Sequence, residues 1–176
     1  MQPVQPGSTY FDALGVSDQP TFDVDVKELR RMFLRSQQRV HPDTYATGED
    51  RERQLAEQQS AWLNRAYHTL REPLARAQYL LQLHGVDVTE TESVADPELL
   101  MTVMEERERI DDATDATEVR DVFQANEDRI RETITMLGDA FRANNWISAH
   151  ALTVRLKYWY RLRAAVRTWE DEHGGK

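Results

Sequence analysis

The chain contains no cysteine. That absence removes disulfides, thiolate metal ligands, iron–sulfur ligation and a thiol nucleophile at one stroke, so no cofactor is expected, and any metal in its biology is expected to be held by another molecule. Glycine and proline are scarce, seven and six in 176 residues, and no segment alternates apolar and polar residues for long. With few turn formers and no period-two pattern, the chain reads as all-α. No apolar run approaches the roughly 20 residues that cross a bilayer, so no membrane partner is expected. Basic residues are outnumbered, 22 Lys and Arg against 31 Asp and Glu, for a formal net charge of −9. Nucleic acid is therefore not expected as a main partner, since phosphate binding calls for a basic surplus. Met1–Ser8 is polar and lacks the apolar core of a signal peptide and the Arg-rich pattern of a transit peptide.

What is present, 40% apolar and 30% charged residues, is the composition of a globular chain with material for one core or two small ones. Tyr10, Phe11 and Leu14 open with a short helix that Gly15 ends, and Ser17–Phe22 reads as a polar loop. Asp25–Arg39 carries Val26, Leu29, Met32 and Phe33, with Val40 beyond, at helical spacing. Asp50–Arg71 repeats that spacing with Leu55, Ala56, Leu63, Ala66, Tyr67 and Leu70, so the two segments predict an antiparallel helical hairpin. Glu72-Pro73 breaks the second arm, Leu74–Leu83 forms a further short helix closed by Gly85, and Val86–Ala95 reads as a linker. Three more helices follow. Asp96-Pro97 starts the first, Asp115 with Glu118 looks like a capping box for the second, and Asn144-Asn145 turns into the third, with Trp146 near its start. The two long helices are lined by Val119, Phe123, Ile130, Ile134, Leu137 and Phe141, and by Leu152, Leu156, Trp159, Leu162, Val166 and Trp169.

Two places stand out as functional. Within 27–39 of the first arm, Lys27, Arg30, Arg31, Arg35 and Arg39 stand against a single acid, Glu28. At about 100° per residue Lys27, Arg31 and Arg35 point away from the apolar stripe, with Arg30 to one side, which gives an acidic protein one basic helix face. Immediately after it come His41-Pro42-Asp43. Pro42 cannot continue the helix and fixes the direction of a short loop that displays a ring nitrogen and a carboxylate between two helices. A catalytic acid–base pair needs a desolvated pocket and substrate-positioning partners, and nothing in this pattern supplies them. A recognition role fits better: the carboxylate can accept a charge-assisted hydrogen bond from a partner arginine, while the basic face meets an acidic surface. The remaining histidines, His68, His84, His150 and His173, have no metal-ligand spacing.

The second place is the helix beginning at Asp96. With Leu99 at zero, Val103 falls near about 40° and Ile110 near about 20°, an inward stripe, whereas Leu100, Met104 and Met101 fall near about 100°, 140° and 200°. Glu105, Glu108 and Asp112 share or border that outer face, and Tyr158 on the last helix can join it. Either the apolar stripe runs wide enough to take Leu100 and Met104 into the core, or these residues form an exposed apolar patch with an acidic rim, a composition suited to binding protein.

The first unit resembles a J-domain, the module that engages ATP-dependent chaperones of the DnaK class, through Tyr10-Phe11, Leu14-Gly15-Val16, the basic helix, His41-Pro42-Asp43, and Asn64-Arg65-Ala66-Tyr67 with Leu70. From Tyr10 to Trp169 the chain is similar to the HscB/Jac-type J-domain co-chaperones of iron–sulfur cluster biogenesis, carried by Glu72-Pro73, Arg76–Leu81, Gly85, Leu99–Met101 and Val154–Tyr158. The resemblance implies a J-domain over 9–84, a linker over 85–95 and a three-helix bundle over 96–172. It implies a non-enzyme that activates the ATPase of a DnaK-class heat-shock chaperone through Lys27, Arg30, Arg31, Arg35, His41, Pro42 and Asp43. It also implies that Leu100, Met101, Met104, Glu105, Glu108, Asp112 and Tyr158 hold an IscU/Isu-type iron–sulfur scaffold, with Asp112 standing where a Glu is typical. The Gly/Phe-rich segment and zinc-binding cysteines of general J-proteins are missing, as are the cysteine pairs of some animal relatives. Tyr158, where bacterial members typically have Phe, leans toward a fungal mitochondrial member and hence the mitochondrial matrix, with the bacterial cytoplasm as the alternative. An adaptor for a different folded client is the alternative function.

Overall fold

The computed structural model describes residues 7–40, 50–88 and 96–173, and every regular element among them is a helix. These are α1 (Tyr10–Leu14), α2 (Val26–Val40), α3 (Asp50–Arg71), α4 (Pro73–Leu83), α5 (Pro97–Asp111), α6 (Ala116–Arg142) and α7 (Trp146–His173). The chain separates into two units, Met1–Leu80 and Leu81–Lys176, with the boundary inside α4.

In the first unit α1 has only five residues, too few to be stable alone, and depends on its ends and its anchors. The Thr9 hydroxyl accepts the Asp12 N–H, the Asp12 carboxylate accepts the Thr9 N–H at 2.8 Å, and Gly15 closes the helix with φ 63°, a left-handed conformation that suits glycine. Phe11 and Leu14 are buried. The Tyr10 ring stacks on Tyr79 at 4.4 Å and lies 4.8 Å from Trp62, and its N–H donates to the Tyr79 hydroxyl at 2.9 Å. Burial pushes the Tyr79 hydroxyl pKa up.

The α2–α3 hairpin is antiparallel, as its matching apolar spacing predicts. Phe33 stacks on Tyr67 at 4.3 Å; one turn along each arm, Gln37 Nε2 donates to the Ser60 carbonyl at 3.2 Å and to Asn64 Oδ1 at 3.0 Å. Leu29 meets a core to which α3 contributes Ala56, Leu63, Ala66 and Leu70. Two expectations fail here. Val26 is 44% exposed instead of lining the core, because it is the first residue of α2, where Asp25 turns the chain into the helix by accepting the Lys27 and Glu28 N–H groups. Phe22, read as part of a polar loop, is buried. Its partner is Arg76, itself buried: the guanidinium lies 5.2 Å from the Phe22 ring centre and donates to the carbonyls of Phe22 (2.6 Å), Leu70 (2.7 Å) and Arg71 (3.2 Å). The break at Glu72-Pro73 leaves the last carbonyls of α3 without helical donors, and a cation at that end satisfies them while opposing the helix dipole.

In the second unit α6 and α7, of 27 and 28 residues, are each about 40 Å long at about 1.5 Å per residue. They run antiparallel through the turn at Asn144, which takes φ 52° as the Asn pair predicts. Glu127 binds Arg163, and Thr133 accepts from Trp159 Nε1 at 3.2 Å. Val119, Val122, Ile130 and Leu137 of α6 and Leu156, Leu162 and Val166 of α7 fill the core, with Leu99 and Ile110 from the shorter α5. The capping at Asp115 differs from the expected reciprocal box. Asp115 accepts from Thr117 and Glu118, but the Glu118 carboxylate takes the N–H of Thr114 instead of that of Asp115. Within this unit Trp146 packs edge-on to Phe141 and stacks on His84 at 3.9 Å.

Candidate functional site

On α2, Lys27, Arg30, Arg31 and Arg35 are all exposed. Arg31 pairs with Glu28, while Lys27, Arg30 and Arg35 make no ion pair among the described residues. Three unneutralised cations thus share one helix whose opposite face is fixed by Leu29, Phe33 and Gln37. His41, Pro42 and Asp43 lie outside the described residues.

On α5 the choice between a wide core and an exposed patch is decided by burial. Met101 and Met104 are 65% and 71% exposed, Leu100 is half-buried, and Glu105, Glu108 and Asp112 are exposed. Val103, expected to point inward, is only partly covered. The two arginines of α5 are engaged by its other acids, Arg107 with Asp111 and Arg109 with Glu106. Glu105, Glu108 and Asp112 form no ion pair among the described residues, so the apolar strip of Leu100, Met101 and Met104 keeps a negative rim.

Contacts on the hidden side set the rotation of α5. Its first turn is capped by Asp96, which accepts the Leu99 N–H at 3.0 Å and the Arg155 guanidinium of α7 at 2.8 Å; these donors hold the Asp96 carboxyl pKa below its ordinary value. Farther along, Glu106, only 5% exposed, binds Arg109 at 2.8 Å and Arg129 of α6 at 2.7 Å. With α6 and α7 antiparallel, these two ties make α5 run parallel to α7. Leu100 and Met101 sit about one turn beyond Asp96, and Tyr158 about one turn beyond Arg155, which brings Tyr158 to the level of the strip. Tyr158 is partly exposed with the Arg161 guanidinium 5.4 Å from its ring centre. Behind it, Asn126, fully buried, donates to the Trp159 carbonyl at 2.9 Å. Sequence reasoning missed Glu106, Asn126 and the Asp96–Arg155 tie. Of these only Glu106 carries a signal: from Leu99 it projects near about 340°, inside the inward stripe, where a carboxylate requires a buried partner. Among the described residues no three His, Asp or Glu side chains gather closely enough to hold a metal ion.

The comparisons converge on one family. A family model described as the HSCB C-terminal oligomerisation domain matches residues 95–167. The chain is 33% identical over 156 residues to the mitochondrial J-type co-chaperone JAC1 of Saccharomyces cerevisiae, covering 85% of this chain and 80% of that one. It is 33% identical over 168 residues to a co-chaperone protein HscB homolog of Vibrio cholerae, covering 93% of this chain and 97% of the relative. The crystal structure of human co-chaperone protein HscB matches with a TM-score of 0.89 at 26% identity, over 96% of this chain and 85% of that one. A third of the residues shared along nearly the whole of a bacterial and most of a yeast relative, on a backbone that follows the human protein, makes this chain a member of the HscB/Jac1 family of J-type co-chaperones.

Proposed function

We propose that the protein stimulates ATP hydrolysis by a DnaK-class heat-shock chaperone and delivers an IscU/Isu-type iron–sulfur scaffold to it for cluster transfer. In this reading residues 9–84 are the J-domain, 85–95 the linker and 96–172 the scaffold-binding bundle. The observation that carries it is the presence, on separate units, of two outward surfaces of opposite character: unpaired cations on α2, and an apolar strip with an acidic rim on α5. Lys27, Arg30, Arg31 and Arg35 steer the acidic chaperone surface into place, and His41-Pro42-Asp43 presents a carboxylate to an arginine of that partner. Leu100, Met101, Met104 and Tyr158 lose water against the scaffold, while Glu105, Glu108 and Asp112 select a basic margin around it. The chain performs no bond chemistry of its own; the cluster stays on the scaffold and the nucleotide on the chaperone. The mitochondrial names among its relatives favour the mitochondrial matrix as its place of work.

Calorimetric titration with an IscU/Isu-type scaffold tests this reading. Truncating Leu100, Met104 and Tyr158 together to Ala is expected to weaken binding by at least about 100-fold, about 2.7 kcal/mol, because centrally buried apolar side chains dominate such interfaces. Unchanged affinity in the triple variant, or no binding by the unaltered chain, would redirect the bundle to a different folded client.

A further inference from the structure

The outward face of α2 contains one residue that its charge does not account for. Leu34 is 50% exposed. Measured from Leu29 at about 100° per residue, it projects near about 140°, between Arg30 near 100° and Lys27 near 160°, with Arg31 and Arg35 near 200° and 240°. It is thus far from the buried direction and lies at the C-terminal end of the basic face, beside Arg35 and with Lys27, Arg30 and Arg31 on the turns before it, all exposed. The fold gains little from a leucine there, since helix propensity is served equally by Lys, Gln or Glu, and the core-facing positions of α2 are already held by Leu29, Met32 and Phe33.

An exposed apolar residue beside a patch of one charge has the layout of a protein-docking face: the charges attract and orient, and the apolar residue holds by losing water. We infer that Leu34 is the apolar anchor of the chaperone-docking face, inserting into an apolar depression within an acidic surface of the ATPase chaperone. The inference rests on the reading of α2 as that docking face. Charge selects the occupant, because unneutralised cations concentrated on one helix of a protein with net charge −9 need an acidic counterpart. The anchor assigns a second role to a face that steering alone would leave purely electrostatic: the cations govern how fast and in what orientation the partners meet, and Leu34 how long they stay.

The test measures stimulation of the chaperone's ATPase as a function of full-chain concentration for Leu34→Asn, Leu34→Met and Arg30→Gln, with thermal melts confirming that each variant is folded. Leu34→Asn is expected to raise the half-maximal concentration about tenfold while leaving the maximal rate intact, and Leu34→Met to stay within about twofold of the unaltered chain. The Leu34→Asn deficit is expected to be the same at about 50 mM and about 300 mM salt, whereas the Arg30→Gln deficit shrinks as salt screens it. A half-maximal concentration unchanged in Leu34→Asn, or a deficit that salt abolishes, overturns the anchor. An unchanged ATPase curve with loss of self-association on sedimentation overturns it too and assigns Leu34 to a second copy of this chain. If the unaltered chain gives no stimulation, all variants are equally silent and the docking reading falls with the anchor, a pattern distinct from the other outcomes.

Discussion

Arg76 and Glu106 show how much of the architecture rests on single buried charges. Arg76 donates to three carbonyls drawn from the loop before α2 and the end of α3, so one guanidinium fixes the entry to the hairpin and the break that follows it. Arg76→Ala removes all three donors at once and leaves buried carbonyls unpaired; it is expected to cost about 3 kcal/mol in denaturant unfolding, and a cost below about 1 kcal/mol would show that water replaces the guanidinium. In the sequence Arg76 looks like an ordinary solvated helix residue, since nothing local announces that distant Phe22 will fold over it. Glu106 is different. Its position on the inward stripe of α5 was visible in the helical projection, but the identity of its partner, Arg129, depends on how α5 meets α6, which periodicity does not specify.

Among the elements, caps carry much of the local specification. Asp12, Asp96 and Asp115 each accept backbone N–H groups at a helix start, and each has a carboxyl pKa lowered from its ordinary value, at Asp96 by the Leu99 N–H first and the Arg155 guanidinium second. A folded-state pKa below the unfolded one means stability that is fully present above about pH 4–5 and is lost as pH falls through the lowered values. Asp96→Asn is therefore expected to melt at lower temperature than the unaltered protein at pH 7 and to converge with it toward about pH 2–3. A melting difference that persists undiminished in acid would mean that the cap acts through shape and not through charge. The same caps explain why the helices were legible: Asp96-Pro97, Gly15 and Asn144-Asn145 are local signals that tertiary packing did not override. Val26 and Phe22 were misread for the complementary reason. Periodicity cannot see that α2 starts at Val26 while its buried face begins at Leu29, or that a loop aromatic finds a cation from a helix more than fifty residues away.

For the molecule as a whole, the order of elements and the all-α class follow from spacing and turn residues, whereas the two compact units divide inside α4, ahead of the polar stretch that reads as a linker. The outward Met101 was also readable, because it projects opposite the inward stripe of α5. What the sequence pattern left open was whether Leu100 and Met104 would be hidden; Met104 is exposed and Leu100 half-buried. Two surfaces on two units suit the proposed task of bringing an ATPase and its client together. The most direct measurement is the steady-state rate of ATP hydrolysis by a DnaK-class chaperone with this protein, with and without the scaffold. Severalfold acceleration is expected, greater still when the scaffold is added, and abolished by Asp43→Ala in a variant that still binds the scaffold. A rate that stays the same on addition of the unaltered protein would contradict the co-chaperone mechanism proposed for it.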